Sequence, residues 1–478
     1  MSDGVDAVVI GSGPNGLAAA IQLARAGADV LVLEAHRDPG GATRTAELTL
    51  PGFHHDVCSA CHPMGILSPL FRTLDLSAHG LRWLQSDVSV AHPLDEGPAA
   101  LLSRSVTQTA ERLGVDGAAY QRLVEPFLHD PHALFEDALA PLRVPQHPLL
   151  MGRFGLRSRR SARGLAQAWF SGARARALVA GCAGHAVQPL ENPLTAAMAL
   201  IFLIAGHVED WPVAAGGSAA IHRALASVLR DHGGRIETGV RITSLDQLPP
   251  SRVVLFDTGP DQLADIAGEA LPARYRARLR RYRFGPGSFK VDWALAGPIP
   301  WSDPAVARAA TVHLGGTLDE ISASEAAAWR GEVSDNPYVL LVQQSALDPD
   351  RAPPGQHTGY AYCHVPAGCD VDMTAAIERQ VARFAPGFRD LILARHTMSP
   401  AALQAYNPNF VGGAVTGGAA DITQLFTRPV ARLDPYRTPN PRLFLCSAST
   451  PPGGGVHGMC GAHAARSALA SLPGLPRR

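Results

Sequence analysis

The fold is decided by the stretch Asp6-Ala-Val-Val-Ile10, Gly11-Ser-Gly13-Pro-Asn-Gly16, Leu17 to Ala26, Gly27, then Asp29 to Leu33 and Glu34. The first β-branched run reads as a buried parallel strand. Pro14 stands where a helix can start and Gly27 where it can stop. Strand, glycine-rich turn, helix, second strand and terminal acid make one dinucleotide-binding βαβ unit. The glycines at 11, 13 and 16 permit a tight turn, close approach of a pyrophosphate and close helix–strand packing. Pro14 and Asn15 open the helix, whose free N–H groups and positive dipole end face the phosphates. Glu34 lies 18 residues after Gly16, where an acid accepts hydrogen bonds from a ribose 2′-OH. An acid there favours FAD or NAD over NADP.

Working outward, composition excludes several classes. The 478 residues allow two or three domains, and 46% hydrophobic residues can fill a sizeable core. The 42 basic and 42 acidic residues cancel, which argues against a protein that coats nucleic acid. No apolar run reaches the ~20 residues of a membrane span; Ala196 to Gly206 is about half that. The N-terminal stretch lacks the basic-then-apolar order of a secretory signal. Seven scattered cysteines, an odd number, suit a reducing, cytoplasmic setting rather than a disulfide framework. No Gly-x-Ser-x-Gly elbow or phosphate-binding P-loop appears, so hydrolase and kinase readings have no support.

After Glu34 the chain reads Ala35-His-Arg-Asp-Pro-Gly40-Gly41-Ala-Thr-Arg44. A glycine pair followed by an arginine just past the second strand resembles the signature of the amine oxidase and phytoene desaturase superfamily of flavoproteins. Near the other end, a strand at Arg442 to Ser447 leads through Ala-Ser449-Thr450-Pro-Pro-Gly-Gly-Gly455-Val456-His457-Gly458 into a helix over 464–472, which begins near Val456. This is similar to the closing FAD motif of the phytoene-desaturase-like branch, close to the pyridine nucleotide-disulfide oxidoreductase domain-containing group. Ser449-Thr450 departs from the Gly-Asp of many flavoproteins, which removes the carboxylate that contacts the ribityl chain. Gly453 to Gly458 is also a literal G-x-G-x-x-G. Only 20 residues follow it, too few for a completed unit of ~30, so no nicotinamide domain is expected.

The resemblance implies an α/β chain, α+β overall: a Rossmann-like FAD domain of the glutathione-reductase and amine-oxidase type with an inserted mixed-sheet and helical substrate domain. The FAD domain is assigned to residues 1–75, 212–265 and 420–478, and the substrate domain to 76–211 and 266–419. It implies non-covalent FAD held by the phosphate loop, Glu34, Ala35, Gly40, Gly41 and Arg44. Val240 would sit on the adenine side, and Ser449, Gly455, Val456 and Gly458 near the flavin. The expected reaction is hydride removal from a substrate C–H bond to flavin N5, with reoxidation by O2 or a quinone. The alternatives are a flavin amine oxidase, a redox-neutral isomerase or hydratase, and a non-catalytic escort like the Rab GDP-dissociation inhibitors. The substrate is expected to be small and apolar.

Lys290 is the one lysine among the 42 basic residues. It sits in a strand-like alternation, Gly285-Pro-Gly-Ser-Phe-Lys290-Val-Asp-Trp, and is read either as a surface charge or as the holder of a water at flavin N5, the role of a similarly placed lysine in flavin amine oxidases. His457, in the flavin-facing loop, is the second catalytic candidate. His54, His55, Cys58, Cys61 and His62 cluster in PGFHHDVCSACHP. No second ligand pair stands at zinc-finger spacing, so no metal is assigned. His55, Cys58 and Cys61, with Tyr406 and the loop Gly412 to Gly418, are assigned to the substrate cavity. Between Asp137 and Glu191 there are eight arginines and no acid. Beside them Leu165, Trp169, Ala173 and Ala177 repeat at helical spacing. This stretch reads as a solvated face, a lid over an acidic substrate, or peripheral membrane contact through 153–178. The basic run Arg274 to Arg283 reads as an exposed helix.

Overall fold

The computed structural model describes residues 4–474. A five-stranded parallel sheet has the order Leu443–Leu445, Ser251–Phe256, Val5–Ile10, Val30–Glu34, Arg235–Thr238. Its strands come from three separated pieces of chain. Both faces are covered except at the edge strand Arg235–Thr238, which is polar and mostly exposed; the other four strands are largely apolar for that reason. Ala7, Val9, Val30 and Val32 pack against the helices on one side. Val8, Ile10, Leu31 and Leu33 pack on the other with Leu263 and Leu279. The first helix runs Pro14–Arg25, with Pro14 in its first turn. It lies between helices Ala219–Asp231 and Met459–Leu469.

The second sheet has seven strands in the order Ile392–Met398, Gly287–Leu295, His357–Val365, Val339–Val342, Ala309–Leu314, Val88–His92, Ala100–Ser103. One pair, Ala309–Leu314 with Val88–His92, is parallel; the others are antiparallel. Alternation decides what each face does. Phe289, Val291, Trp293 and Leu295 join a core with Ile377, Phe384 and Phe388. Ser288, Lys290 and Asp292 occupy the opposite face.

Three expectations are corrected. The spacing Leu165, Trp169, Ala173, Ala177 does not belong to one helix. The chain forms Ala162–Trp169 and Ala173–Gly184 instead. The break has a cause: the buried Asp116 carboxylate accepts from the N–H groups of Ser171 (2.8 Å) and Gly172 (2.7 Å). Those groups could otherwise have continued the first helix. Leu165 and Ala177 are fully buried and Trp169 half-buried, while Ala173 is exposed, so the pattern packs inward at three of its four positions; Leu156 is the exposed large apolar side chain within 153–178. The last helix begins at Met459, not near Val456, because Gly458 takes a left-handed conformation at φ +69°. It ends at Leu469 rather than Leu472. Among the described residues no helix is long and apolar enough to cross a membrane.

The first and last helices touch backbone to backbone. A Cβ added at Gly461 would stand 1.8 Å from the Asn15 carbonyl oxygen. Gly461→Ala is therefore expected to lower the urea midpoint by the equivalent of ~3 kcal/mol, the cost of overpacking a rigid contact. An unchanged midpoint would mean that the helices separate without penalty.

Candidate functional site

The turn after the first strand is held by two acids at the ends of the strands on either side of it. Glu34 Oε2 accepts from the Ser12 N–H (2.8 Å) and hydroxyl (2.6 Å), and Oε1 from the His36 N–H (2.8 Å). Asp257 Oδ2 accepts from the Gly16 N–H at 2.9 Å. Burial pushes the Asp257 carboxyl up to about 8, with the Glu34 charge adding to it and the Gly16 and Gly13 N–H groups opposing. Near neutral pH Asp257 is thus largely uncharged, and it places no full negative charge against a phosphate. Glycine is required here by space. A Cβ at Gly13 would lie 2.6 Å from Asp257 Oδ2, and one at Gly16 would lie 2.1 Å from the Gly11 carbonyl.

The Gly40-Gly41 pair packs on this turn. Gly41 lies over Gly13, and a Cβ at Gly40 would strike the His222 ring at 2.3 Å. Arg44 sits 5.4 Å over the Tyr406 ring, and the Tyr406 hydroxyl donates to the Gly41 carbonyl at 3.0 Å. The Val240 N–H donates to the Glu34 carbonyl at 2.8 Å.

A single cavity of about 980 Å³ runs from this cradle to the seven-stranded sheet. Gly11, Gly13, Pro14, Asn15, Glu34, Ala35, Gly41, Arg44 and Val240 line one end. Ser449, Gly455, Val456, His457, Tyr406, Cys58, Cys61 and Lys290 line its continuation. Gly16, Gly40 and Gly458 do not line it; they let backbones meet behind it. A Cβ at Gly458, for example, would press on Ala18 and Phe71 at 2.8 Å. His55 is a correction. It is fully buried behind the wall, with Nε2 2.8 Å from the Thr49 hydroxyl and Nδ1 3.7 Å from Asp292 Oδ1. His62, seven residues on in the same cluster and just before the helix Pro63–Ile66, lines the cavity instead.

Lys290 is 2% exposed, which removes the surface-charge reading. It is ion-paired with Asp292, and its Nζ lies 4.6 Å from the Tyr360 ring centre. Burial works against the Asp292 charge, but the Lys290 ammonium, with help from His396 and His55, holds its carboxyl below the usual range. Burial pushes His55 down to about 4, so this buried group is an ammonium, a carboxylate and a neutral imidazole. His457 Nδ1 accepts from the Met459 N–H at 3.0 Å. Burial pushes the ring down to about 4. The neutral ring therefore carries its proton on Nε2, which has no partner. Cys58 and Cys61 are both pushed up to about 12 by burial and stay thiols. Among the described residues no group of three or more His, Cys, Asp or Glu could hold a metal.

Sequence reading missed Arg428. It is 2% exposed and lines the cavity. Its guanidinium donates to the Tyr282 hydroxyl (2.8 Å) and the Ala448 (2.9 Å) and Ser449 (3.3 Å) carbonyls. No carboxylate pairs with it among the described residues. An unpaired buried guanidinium beside a cavity needs an anion. With the glycine cradle and the unpartnered His457 donor, it fits a dinucleotide pyrophosphate or the electron-rich edge of a flavin. No sequence signal marks it, because its partners are a distant tyrosine hydroxyl and backbone carbonyls of separate loops.

Fold and cavity together define a Rossmann-type dinucleotide cradle that opens on a chamber against a mixed sheet. Residues 9–75 match the NAD(P)-binding Rossmann-like domain family. The chain is 28% identical to pyridine nucleotide-disulfide oxidoreductase domain-containing protein 2 of Rattus norvegicus, over 98% of this chain and 94% of that one. It is 27% identical to phytoene dehydrogenase of Streptomyces griseus, over 81% and 77%. An oxidoreductase from Methanosarcina mazei shares the fold with a TM-score of 0.67 at 18% identity, covering 97% of this chain and all of that one. The chain is thus a relative of both the phytoene dehydrogenases and the pyridine nucleotide-disulfide oxidoreductase domain-containing proteins.

The Asp257 carboxyl makes a pH prediction. Its folded-state value of about 8 lies above the ordinary carboxylate value of 3.8, so between those limits the folded cofactor-free chain holds a proton that the unfolded chain has released. Its contribution to stability is complete below about pH 4 and falls as pH rises toward 8, by ~1.4 kcal/mol per unit at most. Asp257→Asn should flatten this decline and make the apoprotein more stable than the parent at pH 8–9. Parallel melting curves for both proteins would rule out the raised value.

Proposed function

We propose that the chain is an FAD-dependent oxidoreductase that takes a hydride from a substrate C–H bond. The observation that carries this is the continuity of the dinucleotide cradle with a chamber on whose floor Lys290 lies. The bound cofactor would supply the hydride acceptor, the flavin N5. Glu34 would receive ribose hydroxyls, the Gly11–Gly16 turn and Arg428 the pyrophosphate, and the His457 Nε2–H a flavin or substrate acceptor atom. The Lys290 ammonium, fixed by Asp292, would stabilise negative charge as it develops in the reduced ring and would order a water there. The wall of Cys58, Tyr360 and the apolar chamber excludes bulk water. Electrons would then leave to O2 or a quinone, since one nucleotide unit serves one dinucleotide. Amine oxidation is the second reading, because Lys290 on this scaffold would serve it equally.

The purified protein should be yellow, and heat or acid should release free FAD. Arg428→Met should lose most of the flavin while the fold persists by circular dichroism. A colourless parent, or flavin that stays fixed to peptide, would count against the reading or its non-covalent part respectively.

Lys290→Met should retain FAD but slow flavin reduction or reoxidation ~10²-fold, the scale of one preorganised electrostatic contact. It also strands the buried Asp292 charge, a loss of about 3–5 kcal/mol. The double variant Lys290→Met, Asp292→Asn should recover that stability without recovering the rate. Parent-like stopped-flow traces in both would remove Lys290 from the chemistry.

A further inference from the structure

One wall of the cavity is a single helix thick. Helix Pro148–Ser158 turns Met151, Phe154 and Ser158 inward, where they line the cavity. Its other side carries Leu149, Arg153 and Leu156, spaced four and three residues apart and so on one stripe. Leu149 is 90% and Leu156 68% exposed. Nothing in the fold covers the stripe: a Cβ added at Gly152, beside it, would meet no atom within 4 Å. The loop ahead of the helix adds Leu142 and Val144, 76% and 87% exposed. Leu142 also lines the cavity, so this loop stands at its mouth.

Large apolar side chains so exposed, and so close together in one segment, mark a contact surface. The charge around them says what it meets. No acidic residue occurs between Asp137 and Glu191. Arg143 pairs with Asp137, and Arg163 with Glu191 and Asp319. Arg153, Arg159 and Arg160 are exposed and have no carboxylate partner among the described residues. The occupant is therefore anionic as well as apolar. Shape narrows it further. Side chains this exposed project singly, whereas the core of a protein–protein interface is a closely packed patch. Projecting leucines enter the boundary between lipid head groups and acyl chains. Arginine stems beside them keep their guanidinium groups at the phosphates.

We propose that helix Pro148–Ser158 and the loop ahead of it dock on an anionic lipid bilayer, with the cavity mouth against the membrane. The helix has 11 residues, about half of what a span needs, so it lies in the head-group plane. The docking stripe sits at 142–160, ahead of the Leu165 and Ala177 positions, which are core. In this orientation an apolar molecule passes between bilayer and chamber beside Leu142 without crossing water. The proposal concerns the outer side of the wall and stands whether or not the cradle holds a flavin.

The test is co-sedimentation of the full chain, as purified, with two kinds of vesicle: phosphatidylcholine alone, and phosphatidylcholine mixed with phosphatidylglycerol. The mixed vesicles should bind it about tenfold more tightly or better, since each arginine near an anionic surface is worth roughly fivefold. Added salt should weaken the binding. The pair Leu149→Ser, Leu156→Ser should lower affinity for the mixed vesicles by about tenfold or more, and Arg153→Gln, Arg160→Gln by a similar factor. All four side chains are exposed, so circular dichroism should match the parent. The control pair Arg274→Gln, Arg278→Gln alters another exposed basic helix, Ala273–Leu279, which packs into a different core. It should leave binding within about twofold, because charges away from the contact are screened. Failure to bind the mixed vesicles overturns the proposal. So does binding that survives the leucine pair, which would be charge alone, or that falls equally with the control pair. A parent that binds polyglutamate as tightly as the mixed vesicles would give the stripe to an acidic polypeptide instead. A parent dimer that the leucine pair dissolves, with no vesicle binding, would give it to a second copy.

Discussion

Two buried carboxyl groups and a run of glycines hold this molecule in its working shape. Glu34 and Asp257 close the ends of two strands that flank the first one, and between them they receive N–H groups of the turn that joins that strand to its helix. The Asp257 contact could not form with a side chain at Gly13 or Gly16. The backbone donors at a helix start would otherwise face the cavity unpartnered. Tying some of them to fixed acids sets the turn's shape before any ligand arrives. Preorganisation of this kind lowers the ordering cost that binding must overcome.

The seven-stranded sheet divides labour by parity. Odd-numbered residues of Gly287–Leu295 fill a core, and even-numbered ones carry Ser288, Lys290 and Asp292 to the cavity side. The partner strand answers in register with His364, Tyr362 and Tyr360. Because the side-chain period is two, a one-residue slip would bury this polar row in the core and expose the tryptophan side. The register is thus under strong selection by solvation alone. It lines up a cation and an imidazole along one wall.

Charge burial also joins the two halves. Arg351, 1% exposed, bonds Asp56 at 3.1 Å and Asp348 at 2.8 Å. Those acids in turn accept from the Ser218 and Gly216 N–H groups at 2.7 and 2.8 Å. One buried guanidinium therefore fixes the short strand His54–Asp56 and the approach to helix Ala219–Asp231. Its charge is compensated twice over, and it is structural. Arg428 has carbonyls but no carboxylate, and this contrast is what marks it as part of a binding site.

The nucleotide-binding unit was legible in the sequence because its parts are local: periodicity, a proline, a stop glycine and an acid at fixed spacing within 34 residues. Lys290 stood out by being the lone ammonium. The closing loop was legible as glycines and a histidine, though not the position where its helix starts, which depends on one left-handed residue. The rest was decided by tertiary structure. His55 and His62 are indistinguishable in PGFHHDVCSACHP, and only the packing of Asp292 behind the wall draws one into the core while the other meets the cavity. The arginine-rich stretch looked like one amphipathic helix until a distant Asp116 supplied the cap that broke it. Arg428 has no sequence signature, since it is defined by partners brought from tens of residues away. Local rules set which segments become strand or helix. Which buried group keeps a partner, and which is left for a ligand, is fixed only when remote strands and helices come together.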